Sequence, residues 1–169
     1  MIRTALQIVA LLLGVGVAQS IMTQVWNPLG LVDGLMIAVG LLALRLPFPA
    51  AVFSGAFAGF LQDSLAGGLL GLHAFAKTAA SAMIASLGAV LMVRGPLAEA
   101  LVIGVAAFVE SAIVRTLLLF LNWPGAEGAP LVLGRGLATA LLCGTLLIAG
   151  PRVGMRWRLW RSRSQLTLR

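Results

Sequence analysis

Charged residues are scarce in this chain of 169 residues: Asp, Glu, Lys and Arg make up 10% of it, against about a quarter in an ordinary soluble domain. Hydrophobic residues make up 60%, and the mean hydropathy is +1.05. So few charges cannot cover a water-facing surface, which excludes a soluble globular domain. At about 20 apolar residues per helical span, the length allows six spans with short loops and no aqueous domain.

Residues with catalytic or ligating chemistry are equally few. The chain has no Tyr, a single cysteine and a single histidine, Cys143 and His73. One cysteine cannot form an internal disulfide, and one histidine excludes a His-rich metal site. The GxSxG, HExxH, Walker and CxxC patterns are all absent. We therefore predict a protein that is not an enzyme and holds neither a cofactor nor a metal.

Pro, Gly and Asn residues divide the apolar sequence into six runs. We predict an all-α polytopic membrane protein, a compact bundle of six transmembrane helices with very short loops. Asp33 lies in the first turn of the second run, where a carboxylate suits the positive end of the helix dipole. The predicted transmembrane domain covers residues 1–150, with spans at about 4–22, 31–46, 50–66, 70–93, 97–122 and 131–150.

The basic residues predict the orientation of the chain. With six spans, nine of the twelve Lys and Arg residues fall on one side: Arg3, Arg45, Arg94 and the six arginines of residues 151–169. The loops on the other side, around residues 23–32, 66–71 and 123–130, contain no Lys or Arg. Because cytoplasmic loops are basic, both termini are predicted to be cytoplasmic.

The tail at residues 151–169 explains most of the net charge of +7. We predict that it binds the membrane surface and not nucleic acid, either as a short amphipathic helix on anionic lipid or as a disordered basic anchor. The residues predicted to contact the bilayer surface are Arg152, Arg156, Trp157, Arg158, Trp160, Arg161 and Arg163.

Four ionisable residues within the apolar runs are predicted to form one charge network in the outer half of the bundle. An unpaired charge near the membrane centre costs roughly 2.5 to 3.5 kcal/mol, and their formal charges sum to zero. The pattern favours a structural network over a proton or ion relay, although both uses fit it. The predicted members are Asp63, Lys77, Glu110 and Arg115.

Small residues recur at four-residue spacing and predict close helix packing. Gly55, Gly59, Asp63 and Ala66 share one face of the third span. Packing within the chain is the favoured interpretation of these glycines, with dimerisation as the alternative.

The segment at residues 55–75, GAFAGFLQDSLAGGLLGLHAF, resembles the signature region of the MreD family, small rod-shape-determining membrane proteins of bacteria. In both, a Gly-rich helix ends in an acid, a Gly turn follows, and Gly-Leu-His or Gly-Leu-Asn opens the next helix. Length, six spans, short loops and the acid that opens the second span also fit. The chain has Val32-Asp33 where the family often has Pro-Asp, and Lys77 stands where an apolar residue is expected.

The resemblance implies a non-enzymatic component of the cell-elongation machinery, in the bacterial inner membrane, which takes part in peptidoglycan synthesis. Its implied partner is the single-pass MreC-type scaffold and, through it, the peptidoglycan polymerase, the transpeptidase and the actin-like MreB filament. The alternative is a substrate-binding subunit of an energy-coupling-factor vitamin transporter, a fold that the family is said to resemble. Candidate partner-docking residues are Gly55, Gly59, Asp63, Gly67, Gly71 and His73.

Overall fold

The computed structural model describes residues 2–25, 32–67, 69–91, 93, 95–123 and 133–149, and these contain six α-helices. The basic tail predicted at residues 151–169 lies outside the described residues. The helices are α1 (Ile2–Val25), α2 (Gly34–Ala43), α3 (Phe48–Ala66), α4 (Leu72–Leu91), α5 (Pro96–Phe120) and α6 (Leu133–Ala149).

Each predicted span overlaps one helix, so the all-α prediction is confirmed. Among the described residues, three helices are long and apolar enough to cross a membrane: α4, α5 and the segment Leu6–Thr23 of α1. The chain is therefore a membrane protein with transmembrane helices. The second predicted span differs most, since α2 has 10 residues and measures about 15 Å, half of a hydrocarbon core of about 30 Å.

The short helix α2 lies at the centre of the bundle and packs on α1, α3, α4 and α5. Its start is fixed by Asp33, whose Oδ1 accepts from the Met36 N–H at 2.8 Å. Its end is fixed by a tight turn in which the Arg45 N–H donates to the Leu42 carbonyl, ahead of Pro47. Most of α2 is buried, as expected for a helix surrounded by other helices.

The hairpin of α3 and α4 is the most extensive helix pair among α1 to α5. Gly55 and Gly59 make it possible, because a Cβ at Gly55 would meet the Lys77 carbonyl oxygen at 2.6 Å and one at Gly59 would strike the backbone of Ala74. Packing within the chain is therefore what these two glycines do. As candidate docking residues they are a wrong prediction, since both are buried beneath α4.

Helix α6 packs against α5 through small residues and against α2 through Cys143. A Cβ at Gly136 would meet Cβ of Phe108 at 2.9 Å, so the two helices are nearly in backbone contact there. Cys143 is fully buried in an apolar cluster with Ile37 and Ile103, which agrees with its predicted structural role.

Candidate functional site

Two buried polar centres lie next to each other along α4, one turn apart. His73 and Lys77 are separated by four residues and therefore share a face of the helix. The first centre is built on Asp63, at the end of α3 where α4 begins. The second is built on Lys77, where α2, α4 and α5 meet.

The Asp63 centre closes the turn between α3 and α4. The Asp63 carboxylate is 1% exposed and accepts from the backbone N–H groups of Gly71, His73 and Ala74 at 2.8, 3.1 and 3.2 Å. The ring Nδ1 of His73 lies 2.8 Å from Asp63 Oδ1. A negative charge thus neutralises the positive end of α4 and supplies acceptors for its first N–H groups.

The glycines after Asp63 give the turn its shape. Gly67 has φ of 63° and Gly71 has φ of 97°, both in the left-handed region that side-chain-bearing residues avoid. A Cβ at either position would meet nothing within 4 Å, so backbone conformation and not packing requires glycine there. The family-like motif at residues 55–75 is therefore one structural unit: two packing glycines, a capping acid and a glycine turn.

The Lys77 centre joins three helices through charge. Lys77 Nζ donates to Asp33 Oδ2 at 2.5 Å and to Glu110 Oε1 at 2.7 Å. The three side chains are 0%, 6% and 4% exposed. Such a group is stable in a low-dielectric interior only while its charges remain paired, because removing one partner leaves an uncompensated buried charge.

Helix α6 adds two further groups to the Lys77 centre. The triad of Asp33, Lys77 and Glu110 carries two negative charges and one positive charge, and Arg135 attracts both carboxylates electrostatically. The four formal charges therefore sum to zero. One turn further along, the buried Thr139 hydroxyl oxygen accepts from the Asp33 N–H at 3.3 Å.

The predicted four-residue charge network divides in the structure. Lys77 and Glu110 are bonded to each other as predicted, but Asp63 uses its oxygens on the first turn of α4 and is not a partner of Lys77. Arg115 lies five residues beyond Glu110, and its buried Nε has no hydrogen-bond partner among the described residues. The second carboxylate that binds Lys77 is that of Asp33, which opens α2 at the depth of Lys77.

Asp33 and Arg135 are the members of this centre that the sequence analysis missed. Both are ionisable residues inside predicted spans, so the membrane cost that singled out Lys77 applies equally to them. The sequence predicts Asp33 only as a residue that starts a helix, and it fills that role as well. A prediction that includes every charged residue within each span adds both Asp33 and Arg135 to the candidate members of the network.

The chain matches no protein-family model, no curated protein and no solved structure. The resemblance to the MreD family therefore stays a prediction that rests on the residues of the α3–α4 unit.

Proposed function

We propose that this protein is a non-enzymatic membrane component of the bacterial cell-elongation machinery, of the MreD type. It binds the transmembrane segment of a single-pass MreC-type scaffold, and through it the peptidoglycan-synthesising enzymes and the MreB filament. The observation that carries the proposal is the α3–α4 unit, in which the residues of the family-like motif form one centre around Asp63. A motif whose residues form one structural unit in the folded chain is harder to explain as a chance result of the amino-acid composition.

The proposal includes a topology of six spans in the inner membrane with both termini in the cytoplasm. In this topology nine arginines fall on the same side of the membrane, which supports it. Helix α2 measures only about half of the hydrocarbon core, so the second span is proposed from the apolar run at residues 31–46 and not from the length of the helix. A reporter fused to either terminus and found periplasmic would contradict this topology.

The docking surface is proposed to be the rim around the α3–α4 turn, which is formed by residues 63–73. Gly55 and Gly59 are covered by α4, whereas Leu65 and Leu70 on the rim are 42% and 70% exposed. An apolar surface beside a short outer loop suits the juxtamembrane part of a single-pass helix, because close packing drives helix association in lipid.

The test is co-purification of the scaffold with the full chain from native membranes in mild detergent. Substitutions of Gly67 or Gly71 by leucine would strain a left-handed backbone, so a change at Leu70 is cleaner. Leu70→Trp is expected to reduce scaffold recovery at least about tenfold, since a disrupted interface typically loses more than 1.4 kcal/mol. The matched control is Leu6→Trp, which alters a 62% exposed leucine on α1.

Equal recovery with Leu70→Trp would place the interface elsewhere on the molecule. If the unmodified protein recovers no elongation component, the family assignment itself is wrong. Both results come from the same preparation. The amount of each variant in the membrane fraction shows whether that variant has inserted.

A substrate-binding subunit of a vitamin transporter is the second candidate, and one observation favours it: a polar cavity of about 240 Å³ between α1, α2, α3 and α6. Pockets for such ligands usually measure about 300 to 1,000 Å³ and have aromatic walls, and no aromatic side chain lines this one among the described residues. A vitamin that raises the melting temperature at micromolar concentration would favour this candidate over the first.

A further inference from the structure

One cation of the membrane-spanning helix α5 lies apart from both polar centres. Arg115 is five residues beyond Glu110 and five residues before Phe120, the last residue of the helix. The residue is half-buried, with its Nε against the bundle, and its terminal nitrogens retain accessible surface. The side chain therefore presents a positive charge and N–H donors to the surroundings of the protein.

The packing of α5 on α4 gives the depth of Arg115 in the membrane. Residues 92–95 join these helices, which run in opposite directions, and the contact of Lys77 with Glu110 sets their register. About 7.5 Å beyond Glu110, Arg115 lies level with Leu72, the first residue of α4. The exposed turn before Leu72 is irregular backbone, which does not face lipid within the hydrocarbon region. Arg115 is therefore at the boundary between hydrocarbon and headgroups.

The start of α5 gives the same depth independently. Glu99 in its first turn lies 3.8 Å from the guanidinium group of Arg45, which is 66% exposed at the other end of the bundle. Arg115 follows Glu99 by 16 residues, or about 24 Å. Because the hydrocarbon core is about 30 Å thick and an arginine side chain extends several ångströms further, the Arg115 guanidinium reaches the headgroup layer. Trp123, just beyond the helix and 48% exposed, has the interfacial position typical of membrane tryptophans.

The charge at this boundary selects an anion. The carboxylates that the structure describes are all matched with other groups: those of Asp33, Asp63, Glu99 and Glu110. The fifth acid of the chain, Glu127, lies outside the described residues and enters the experiment below. The anions that a bilayer supplies at this depth are lipid phosphates, and the planar fork of a guanidinium group matches two phosphate oxygens.

We propose that Arg115 binds the phosphate of an anionic phospholipid, in the leaflet on the side of the α3–α4 turn. Its terminal N–H groups donate to two phosphate oxygens, while its stem and Nε stay against the bundle. An anionic lipid is favoured over a zwitterionic one because its headgroup carries no cation that competes with Arg115 for the phosphate. This site is independent of the elongation role, since it binds the bilayer itself and not a protein.

The experiment measures the melting temperature of the full chain in nanodiscs of phosphatidylcholine and of phosphatidylglycerol. Because the basic tail also responds to anionic lipid, the quantity compared between variants is the rise from the first lipid to the second. Arg115→Gln removes the charge and the fork and is expected to lose about 3 °C of that rise. The matched control is Arg45→Gln, which removes an exposed arginine at the other end of the bundle and is expected to lose less than about 1 °C.

Arg115→Lys keeps the charge that the fold was built around but not the planar fork, so it is expected to lose part of the rise. A full rise in Arg115→Lys would mean that the fork does not bind phosphate. A full rise in Arg115→Gln overturns the proposal. An equal loss in Arg45→Gln also overturns it, because anionic lipid would then act on the net charge alone.

Two further measurements separate the sources of the anion. Inorganic phosphate is added to phosphatidylcholine nanodiscs, with chloride at equal ionic strength as the control, and we expect no rise that depends on Arg115. Such a rise would assign the site to free phosphate and contradict the lipid assignment. Glu127→Gln is expected to leave the melting temperature in phosphatidylcholine unchanged. A loss to which Arg115→Gln adds nothing would make Glu127 the partner of Arg115 and overturn the proposal.

Discussion

The two polar centres on α4 satisfy a buried charge in opposite ways. Asp63 is surrounded by neutral N–H groups that lie 8 to 11 residues further along the chain. Lys77 is held by two carboxylates that lie 44 and 33 residues away. The first centre is local and shapes one turn, whereas the second is long-range and holds three helices in register.

This difference determines what each centre contributes. Dipoles from a helix end accompany Asp63 whenever α4 forms, so its charge is compensated by local structure. The compensation of Lys77 exists only when α2, α4 and α5 have assembled, because its partners come from different helices. We expect the Lys77 centre to specify the arrangement of the bundle, and the Asp63 centre to specify one hairpin within it.

The largest predicted effect is that of Lys77→Met. It leaves the Asp33 and Glu110 carboxylates buried side by side without their shared cation, and breaking a buried pair typically costs about 3 to 5 kcal/mol. We expect a loss of that order in the free energy of unfolding, measured in mixed micelles with increasing denaturing detergent.

The control for Lys77→Met is the double variant Asp33→Asn with Lys77→Met. It removes one charge of each sign, leaves Glu110 with Arg135, and keeps a side-chain oxygen to cap α2. It should be more stable than Lys77→Met alone. If the double variant is the less stable of the two, the pairing of charges is not what stabilises this centre.

At the Asp63 centre, Asp63→Ala is expected to cost about 2 kcal/mol, since it leaves the first N–H groups of α4 and the His73 ring without their acceptor. Asp63→Asn should cost less, because one oxygen remains to accept. Thermal denaturation of both variants in detergent measures the difference. Equal losses for Ala and Asn would mean that the negative charge and not the acceptor geometry matters.

A comparable effect is predicted where the two helices of this hairpin touch. In Gly59→Ala the new methyl group would strike the backbone at His73 and Ala74, which cannot rotate away, and overpacking costs about 1 to 3 kcal/mol. Gly14→Ala is the matched control, since nothing lies within 4 Å of its Cβ. There the better helix propensity of alanine should leave stability unchanged or raise it by about 1 kcal/mol. Equal melting temperatures for the two variants would show that the hairpin adjusts.

The helices could be predicted because hydrophobic runs and their breakers are local properties. Pro96 after Gly95 starts α5, and the Gly turn after Asp63 ends α3, so both boundaries follow from a few neighbouring residues. The extent of α2 could not be predicted, because residues 31–46 are apolar throughout apart from Asp33 and Arg45. Its ten residues are set by the Asp33 cap and the turn at Leu44, and the hydropathy of the sequence predicts neither the cap nor the turn.

The partners of the buried charges were only partly predictable, for a related reason. Helical periodicity places Lys77 on an inward face, but it contains no information on which other helix lies opposite at the same depth. The sequence predicts Asp63 as a partner of Lys77 because the two are close in the chain and both face inward. The backbone N–H groups of α4 compete for that carboxylate and are closer, and such competition is invisible without the course of the turn.

The smallest predicted effect decides whether α6 belongs to the Lys77 centre. Thr139→Val keeps the shape of a fully buried side chain but removes the oxygen that accepts from the Asp33 N–H at 3.3 Å, so we expect a loss of about 1 kcal/mol. Thr145→Val alters an exposed threonine of the same helix and should change stability by less than about 0.5 kcal/mol. Because Lys77 and Thr139 both bond to Asp33, Thr139→Val is expected to cost less when Lys77→Met has already disturbed the centre. The same cost in both backgrounds would mean that α6 is attached independently, and that the charge centre ends at α5.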